Sequence, residues 1–308
     1  MNTNVIELQQ VTKRYGDFAA VDDFSLTVCA GESLGLIGHN GAGKSTVFKL
    51  MLGLIQPSGG QMLWHQRVAN EATLRDARRE VGYLPENLAL FDNLTGRETL
   101  HFFARLKKLP SQQIDTLLDE VKLRFAAERR VATYSKGMRQ RLGLAQALLG
   151  SPRILFLDEP TNGLDPEGVR DLYDAVEKRR QQGCTVIVTS HVLADIEQRV
   201  QTLAIMKNGR LAAHGSIAQL RQQQTLPLRA IITLRTDAQN SPLRTPLLTQ
   251  LHASEWLHCT HSGQHLELHC QPKDKLRLLH LCQPYFDQMD DFSWREANLE
   301  DLFFGAQS

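Results

Sequence analysis

The sequence predicts a layered α/β domain followed by a smaller α+β domain. Over residues 5–211, short apolar or β-branched runs alternate with longer stretches of helical periodicity, which is typical of a sheet covered by helices. After the polar stretch 221–224 the pattern changes to β-α-β-β-α-β, the order of a split βαβ or ferredoxin-like unit. We therefore expect one domain at residues 1–220 and a second at residues 221–308.

Three continuously apolar runs predict the centre of the first domain. Residues 33–37, 154–157 and 185–189 suit strands of a parallel sheet, which are buried on both faces. The dipeptide Asn208-Gly209 lies between two further apolar runs and predicts a tight hairpin that ends the domain.

Capping signals mark where helices begin. Thr95 and Glu98 have the spacing of a capping box, and they predict a helix that follows them. Asp165 followed by Pro166 predicts the start of a second helix, which is expected to end near Gly183. In the second domain we expect strands at 228–235, 255–261, 264–271 and 291–295, and helices at 246–252 and 273–286.

The composition excludes several classes of protein. Thirty-five Lys and Arg against 34 Asp and Glu leave a net charge of +1, so no overall field favours nucleic acid as a partner. No run of 18 apolar residues occurs, and residues 1–10 lack the layout of a secretory signal, so we expect a chain that stays in the cytoplasm. Five widely spread cysteines are expected to be reduced thiols.

The clearest motif is a glycine-rich loop between a predicted strand and a predicted helix. It fits the pattern G-x-x-x-x-G-K-[ST]. Backbone N–H groups at such a helix start cradle phosphates, Lys44 is suited to contact the terminal phosphates, and the hydroxyl of Ser45 is suited to hold Mg²⁺. The predicted nucleotide-binding residues are Gly38, His39, Asn40, Gly41, Ala42, Gly43, Lys44, Ser45 and Thr46.

Two carboxylates end the apolar run that begins at residue 154. Ligands of a doubly wound sheet bind outside the carboxyl ends of its strands, which is where Asp158 and Glu159 are expected. Asp158 is predicted to hold Mg²⁺ through water, and Glu159, which points another way, is the candidate general base for an attacking water. A glycine-rich loop of this kind together with an aspartate at a strand end fits kinases, GTPases and many ATPases equally.

The segment that begins at Tyr134 narrows this choice. Tyr-Ser-Lys-Gly-Met resembles the signature motif Leu-Ser-Gly-Gly-Gln of ATP-binding-cassette (ABC) proteins, because Ser135 and Gly137 match it. Tyr134, Lys136 and Met138 depart from it, and Met138 lacks the polar group of the usual glutamine. The resemblance covers residues 5 to about 220 and implies an ABC-type P-loop domain that hydrolyses ATP with Mg²⁺.

Further landmarks of the family follow in order along the chain. The resemblance implies that Tyr15 stacks on adenine, that Asp165 belongs to the D-loop, and that His191 is the switch histidine, a catalytic residue together with Glu159. Glu86 stands where the family has the glutamine of its Q-loop. An ionised glutamate can reach Mg²⁺ through water but cannot donate a hydrogen bond.

The same resemblance implies partners. In this family the nucleotide lies between the P-loop of one subunit and the signature motif of another, so Ser135, Lys136, Gly137 and Met138 would contact the ATP of a second copy in a head-to-tail dimer. The dimer would act as a peripheral subunit at the cytoplasmic face of the inner membrane, where it powers separate integral membrane subunits.

Residues 82–87, 95–100, 103–107 and 134–150 more closely resemble the NosF-type ATPase subunit of the transporter that serves nitrous oxide reductase maturation. This resemblance implies a role in supplying the copper–sulfur site of that reductase, with a periplasmic substrate-handling protein as a further partner. Two alternatives stay open. One is a soluble ABC ATPase that assembles a metal centre without transport, and the other is a small-molecule kinase, against which the signature motif and the histidine speak.

Residues 252–282 are rich in potential metal ligands. In the predicted strand 264–271, His265 and His269 alternate with apolar residues, which favours a solvated sheet face. Copper or zinc binding by these two histidines together with Cys259 is the alternative. The six histidines of this region are His252, His258, His261, His265, His269 and His280.

Overall fold

A computed structural model of the chain describes residues 3–192, 196–223, 228–235, 244–254, 256–262 and 264–296. The chain forms two compact units, Met1–Ile217 and Ala218–Ser308. The division falls at the first residue of a helix that spans Ile217–Gln223, three residues before the expected boundary. None of the helices in the described ranges is both long enough and apolar enough to cross a bilayer.

Strands and helices alternate in the first unit. Its strands are β1 (Asn4–Tyr15), β2 (Phe18–Cys29), β3 (Ser33–Ile37), β4 (Gly59–Trp64), β5 (Arg67–Val68), β6 (Val81–Leu84), β7 (Ile154–Asp158), β8 (Thr185–Ser190), β9 (Thr202–Lys207) and β10 (Arg210–Ser216). Its helices are α1 (Lys44–Met51), α2 (Glu71–Ala77), α3 (Gly96–Leu106), α4 (Gln113–Glu120), α5 (Lys136–Leu148) and α6 (Pro166–Gln181).

A six-stranded sheet in the order β10-β9-β3-β8-β7-β6 forms the centre of this unit. The three predicted central strands β3, β7 and β8 run parallel and are buried at every position. The loop after β3, the acidic pair at the end of β7 and the residues after β8 therefore meet at one edge of the sheet. Strands β1, β2, β4 and β5 form a second, antiparallel sheet.

The predicted caps and turn are present. Thr95 accepts a hydrogen bond from the N–H of Glu98 and donates its own N–H to that carboxylate, which completes the capping box before α3. Asp165 accepts from the N–H of Gly168 and begins α6. Asn208 and the following glycine, both at positive φ, connect β9 to β10 as predicted.

In the second unit the described residues follow the predicted order β-α-β-β-α-β. The elements are β11 (Leu228–Leu234), the helix Arg244–His252, β12 (His258–Ser262), β13 (His265–Cys270), the helix Lys275–Cys282 and β14 (Met289–Glu296). The strands form an antiparallel sheet in the order β12-β13-β11-β14. One face of the sheet packs against the helices, and Ala230, Ile232, Leu266, Leu268 and Leu278 are fully buried there.

The helix expected at residues 273–286 is shorter than predicted. It spans Lys275–Cys282 and gives way to a 3₁₀ segment, Gln283–Gln288. Pro284 explains the difference, because it has no N–H to donate to the carbonyl oxygen four residues earlier, although Gln283 itself keeps helical backbone angles. The buried side chains of this helix are Leu278 and Cys282, four residues apart.

Candidate functional site

A cavity of about 370 Å³ opens at the carboxyl edge of the central sheet. Five segments of the chain contribute to its wall: the start of β2, the glycine-rich loop with the start of α1, Glu86 after β6, the end of β7 and the residue after β8. The sequence predicts one nucleotide site for the loop, the acidic pair, Glu86 and His191. The lining residues are Phe18, Ala20, Asn40, Gly41, Ala42, Gly43, Lys44, Ser45, Thr46, Glu86, Asp158, Glu159 and His191.

The glycine-rich loop is closely surrounded by backbone. A Cβ atom at Gly43 would lie 2.5 Å from the carbonyl oxygen of Ala20, and Gly43 also has a left-handed φ of 103°. A Cβ atom at Gly38 would lie 2.7 Å from the carbonyl oxygen of Met206. Only glycine fits both positions, so the close packing of the loop against β2 and β9 requires these two glycines.

Lys44 holds the loop together from inside. Its buried ammonium donates hydrogen bonds to the carbonyl oxygens of Gly38, at 2.5 Å, and His39, at 3.3 Å. Burial lowers the pKa of Lys44, and the nearby carboxylates of Glu159, Asp158 and Glu86 act in the opposite direction. The lysine therefore lies between the loop and the acidic wall of the cavity, where an anionic ligand would neutralise it.

Thr189 fixes the acidic pair. Its hydroxyl donates to Oδ1 of Asp158 at 2.6 Å and accepts from the N–H of Glu159 at 2.9 Å. Thr189 is fully buried, and it lies opposite Asp158 in the parallel pairing of β7 with β8. From the sequence, Thr189 is predicted only as the last residue of the strand 185–189. The pairing of two buried strands was the signal that could have identified it.

Glu159 is held in a strained but specific position. Its φ of 46° is left-handed, which is uncommon for a residue with a side chain. Oε2 lies 2.8 Å from Nδ1 of His191. Burial raises the pKa of Glu159, and the bond to His191 opposes this shift. A carboxylate with a raised pKa in a cleft is suited to act as a general base.

The donors of the cavity suit a hard cation. Ser45, Asp158 and Glu86 offer only oxygen atoms, which Mg²⁺ prefers. Burial raises the pKa of Asp158, and burial together with the charges of Asp158 and Glu86 raises the pKa of Tyr83 to about 12. A divalent cation would relieve this excess of negative charge. Across the described residues, no group of three His, Cys, Asp or Glu side chains forms a metal cage, so such a cation would depend on phosphate and water for its other ligands.

The structure separates Tyr15 from the cavity lining. Tyr15 is half exposed, and the ammonium of Lys13 lies 5.4 Å from the centre of its ring. Phe18, its cross-strand partner in the β1–β2 hairpin, is an aromatic residue that lines the cavity. The resemblance implies that Tyr15 is the stacking aromatic, which stays a prediction, and Phe18 is a second candidate because both residues flank the same two-residue turn.

The signature segment lies away from the cavity of its own chain. Ser135 caps α5 by accepting a hydrogen bond from the N–H of Met138 at 3.2 Å, and both Ser135 and Lys136 are exposed. None of Ser135, Lys136, Gly137 and Met138 lines the cavity. Asp165 is likewise outside it and serves as the cap of α6. The signature segment is thus open to another molecule.

The alternative metal site in the second unit is not formed. In the pairing of β12 with β13, Cys259 lies opposite Leu268, and its side chain belongs to the buried core. His265 and His269 alternate with Leu266 and Leu268, so they occupy the other face of the sheet. The solvated face expected for His265 and His269 is therefore confirmed, and the alternative of a copper or zinc ion shared with Cys259 is excluded, because a two-residue period puts the cysteine on the opposite face.

Comparisons with known proteins agree with this site. A family model described as "ABC transporter" matches residues 21–162. The chain is 42% identical over 210 residues to the uncharacterized ABC transporter ATP-binding protein YhcH of Bacillus subtilis, which covers 67% of this chain and 68% of that protein. It is also 34% identical to the ATP-binding cassette sub-family A member 7 of Mus musculus, over 97% of this chain and 14% of that protein.

A solved structure of an ATP binding subunit of an ABC transporter is similar in fold. It aligns with a TM-score of 0.65 and 30% identity over 71% of this chain and 92% of that chain. The match to three bacterial relatives spans between 59% and 68% of their lengths.

Proposed function

The chain belongs to the ATP-binding cassette family of ABC transporter subunits, and we propose that it hydrolyses ATP to power a transporter whose membrane-spanning chains are separate proteins. One observation carries this proposal. Lys44 from the loop, Glu159 from the end of β7 and His191 from the end of β8 line one cavity of about 370 Å³, which is a suitable size for a small ligand.

The glycine-rich loop would bind the triphosphate. The N–H groups of residues 40–46 and the start of α1 favour an anion, and Lys44 would exchange its bonds to Gly38 and His39 for phosphate oxygens. Ser45 and Asp158, with Glu86 acting through water, would hold Mg²⁺, which neutralises phosphate charge when it is bound. Phe18 offers a ring for stacking on adenine.

Glu159 would accept the proton of the attacking water. Its carboxylate is oriented by Nδ1 of His191, and its backbone is fixed by the hydroxyl of Thr189. A base that is already positioned needs little reorganisation during the reaction. The raised pKa of Glu159 strengthens its affinity for that proton.

The working unit would be a head-to-tail dimer. Ser135 and Lys136 are exposed and do not line the cavity of their own chain, so they are available to the nucleotide of a second copy. The hydroxyl and N–H groups at the start of α5 are suited to bind phosphate. ATP between two copies would close the dimer, and hydrolysis would open it.

An exposed aromatic patch that follows Glu86 in the chain would receive the membrane chain. Phe91 and Phe102 pack edge to face with ring centres 5.2 Å apart, and both remain exposed, as does Leu106 one turn further along α3. Apolar surface of this kind is typical of a binding site for another protein. The patch follows Glu86 closely in sequence, so a change at the nucleotide would be transmitted to the partner through this loop.

The transporter would serve maturation of the copper–sulfur site of nitrous oxide reductase, acting at the cytoplasmic face of the inner membrane. The resemblance of residues 82–87, 95–100, 103–107 and 134–150 to the NosF-type subunit supports this assignment. A periplasmic protein that handles the substrate would complete the pathway.

Purification of the native complex tests the proposal. We expect a hydrophobic membrane chain to co-elute with this protein, and we expect the complex to release phosphate from ATP. Cells that lack the chain should retain nitrous oxide reductase protein but lose its copper–sulfur site. Recovery of soluble partners alone would favour an assembly ATPase, and a normal reductase in such cells would remove the copper assignment while leaving the ATPase intact.

A further inference from the structure

A buried amide connects the signature helix to the backbone beside the general base. Gln140 of α5 is only 4% exposed, and its Nε2 donates a hydrogen bond to the carbonyl oxygen of Pro160 at 2.9 Å. Pro160 directly follows Glu159. A buried amide needs a partner, because a polar group that is removed from water without a hydrogen bond destabilises the folded state. This hydrogen bond therefore fixes the position of α5 relative to the loop that follows β7.

The start of α5 packs against the same segment. Gly137 and Gln140 are three residues apart and share a face of the helix. A Cβ atom at Gly137 would lie 3.5 Å from Leu164, and one at Gly163 would lie 2.3 Å from Cδ of Lys136. The signature residues and the segment 160–164 are in direct contact, and Gln140 adds a directional bond to that contact.

Glu159 is thereby held from two sides. The hydroxyl of Thr189 accepts from its N–H, and Gln140 holds the carbonyl oxygen of the next residue. The left-handed φ of Glu159 is maintained only by such surroundings. A small shift of α5 would move the carboxylate of Glu159, because Gln140 is bonded to the residue that directly follows Glu159.

We propose that Gln140 is a positioning residue that couples the two ATP sites of the dimer. The proposal rests on the head-to-tail arrangement proposed above. The signature residues of one chain contact the ATP in the partner's loop, whereas Gln140 holds the peptide beside Glu159 of its own chain. ATP binding at one site therefore fixes the general base at the other site.

Two mixed dimers, assembled from differently tagged chains, separate this role from a general structural one. In the first, one chain carries Gln140→Met and the other carries Glu159→Gln, so the only working base lies beside the substituted residue. In the second, one chain is wild type and the other carries both substitutions, so the working base keeps its Gln140. We expect the first dimer to hydrolyse ATP about 10- to 100-fold more slowly than a dimer of wild type with Glu159→Gln.

The second mixed dimer should stay within about 2-fold of that reference. Thr99→Val is the matched control, because the fully buried hydroxyl of Thr99 also donates to a backbone carbonyl, that of Thr95, at 2.8 Å. When Thr99→Val replaces Gln140→Met in the two mixed dimers, both should hydrolyse ATP at the rate of the reference dimer. Melting temperatures of all the variants report any loss of folding, and Gln140→Asn, which keeps the amide but is one methylene shorter, replaces the methionine variant if that chain does not fold.

Equal turnover of the two mixed dimers, with an active reference dimer, would overturn the role of Gln140 and leave the proposed function intact. A slow second dimer would also overturn it, because the effect would then act on the partner's site through the signature motif. Absence of hydrolysis in the dimer of two wild-type chains would overturn the proposed function and this inference with it.

Discussion

Nδ1 of His191 lies 2.8 Å from Oε2 of Glu159, although 32 positions separate the two residues in the chain. Parallel pairing produces this contact. Asp158 at the end of β7 lies opposite Thr189 in β8, so the residues that follow the two strands emerge side by side. The histidine orients the carboxylate and opposes the burial that raises its pKa. Substitution of Glu159 and substitution of the residues that position it should therefore have different effects on ATP hydrolysis.

Glu159→Gln should slow ATP hydrolysis by at least about 100-fold while ATP binding is retained. The amide occupies the same space as the carboxylate but cannot accept the proton of the attacking water. ATP should then hold the dimer closed, which gel filtration with ATP and Mg²⁺ would detect. Glu177→Gln, which alters a carboxylate paired with Arg180 on α6, is the control. Turnover near that of the wild type would exclude Glu159 as the base.

Lys44→Ala should weaken the binding of ATP itself. The ammonium is buried in the loop beside three carboxylates, and its loss leaves the phosphates facing negative charge without compensation. Titration calorimetry with ATP measures the change, and Lys49→Ala, at an exposed position of the same helix, is the control. Unchanged ATP affinity in Lys44→Ala would contradict the assigned contact.

Thr189→Val should lower both stability and turnover. The substitution keeps the shape of the side chain but leaves Oδ1 of Asp158 and the N–H of Glu159 without their partner, at a cost of about 1–3 kcal/mol in the free energy of unfolding. Thr189→Ser keeps the hydroxyl and should restore most of the turnover. Urea unfolding and phosphate release measure the two effects. If the serine variant were as slow as the valine variant, the hydroxyl would not be the important group.

The local structure of the first unit could be predicted from the sequence. The buried strands, the capping box at Thr95, the cap at Asp165 and the hairpin at Asn208 depend on residues close together in the chain, and all four are present. The order of the strands in the sheet, in contrast, does not depend on residues that are close together in the chain. The bonds of Thr189 to Asp158 and of Gln140 to Pro160 depend on that order, and this is why sequence reasoning did not assign them.

The differences from the predicted elements have specific causes. The helix predicted at 273–286 ignored Pro284, whose missing N–H interrupts the α-helical hydrogen bonds after Cys282. The register of β12 and β13 confirms the solvated face expected for His265 and His269 and assigns Cys259 to the other face. Tyr15 stays a prediction as the ring that stacks on adenine, and Phe18 is a second candidate because it lines the cavity.

The stability of the nucleotide-free protein should fall as the pH rises through the range just above the ordinary carboxyl pKa values. Burial raises the pKa values of Asp158 and Glu159, so in this range the folded state binds more protons than the unfolded state. Stability then decreases with rising pH. The double variant Asp158→Asn, Glu159→Gln lacks both groups, and its melting temperature should depend less on pH and be higher near neutral pH. Identical pH curves for the two proteins would contradict the assigned shifts.

Phe18→Ala should weaken ATP binding more than Tyr15→Ala does. Phe18 lines the cavity, whereas Tyr15 does not, and an exposed ring gains area and stacking energy when a base covers it. Such stacking contributes about 1–3 kcal/mol, which corresponds to a loss of about 5- to 150-fold in affinity. Both substitutions are made in the Glu159→Gln background so that calorimetry measures binding without hydrolysis. A larger loss in Tyr15→Ala than in Phe18→Ala would return the adenine contact to Tyr15, and it would mean that the β1–β2 hairpin changes position when the nucleotide binds.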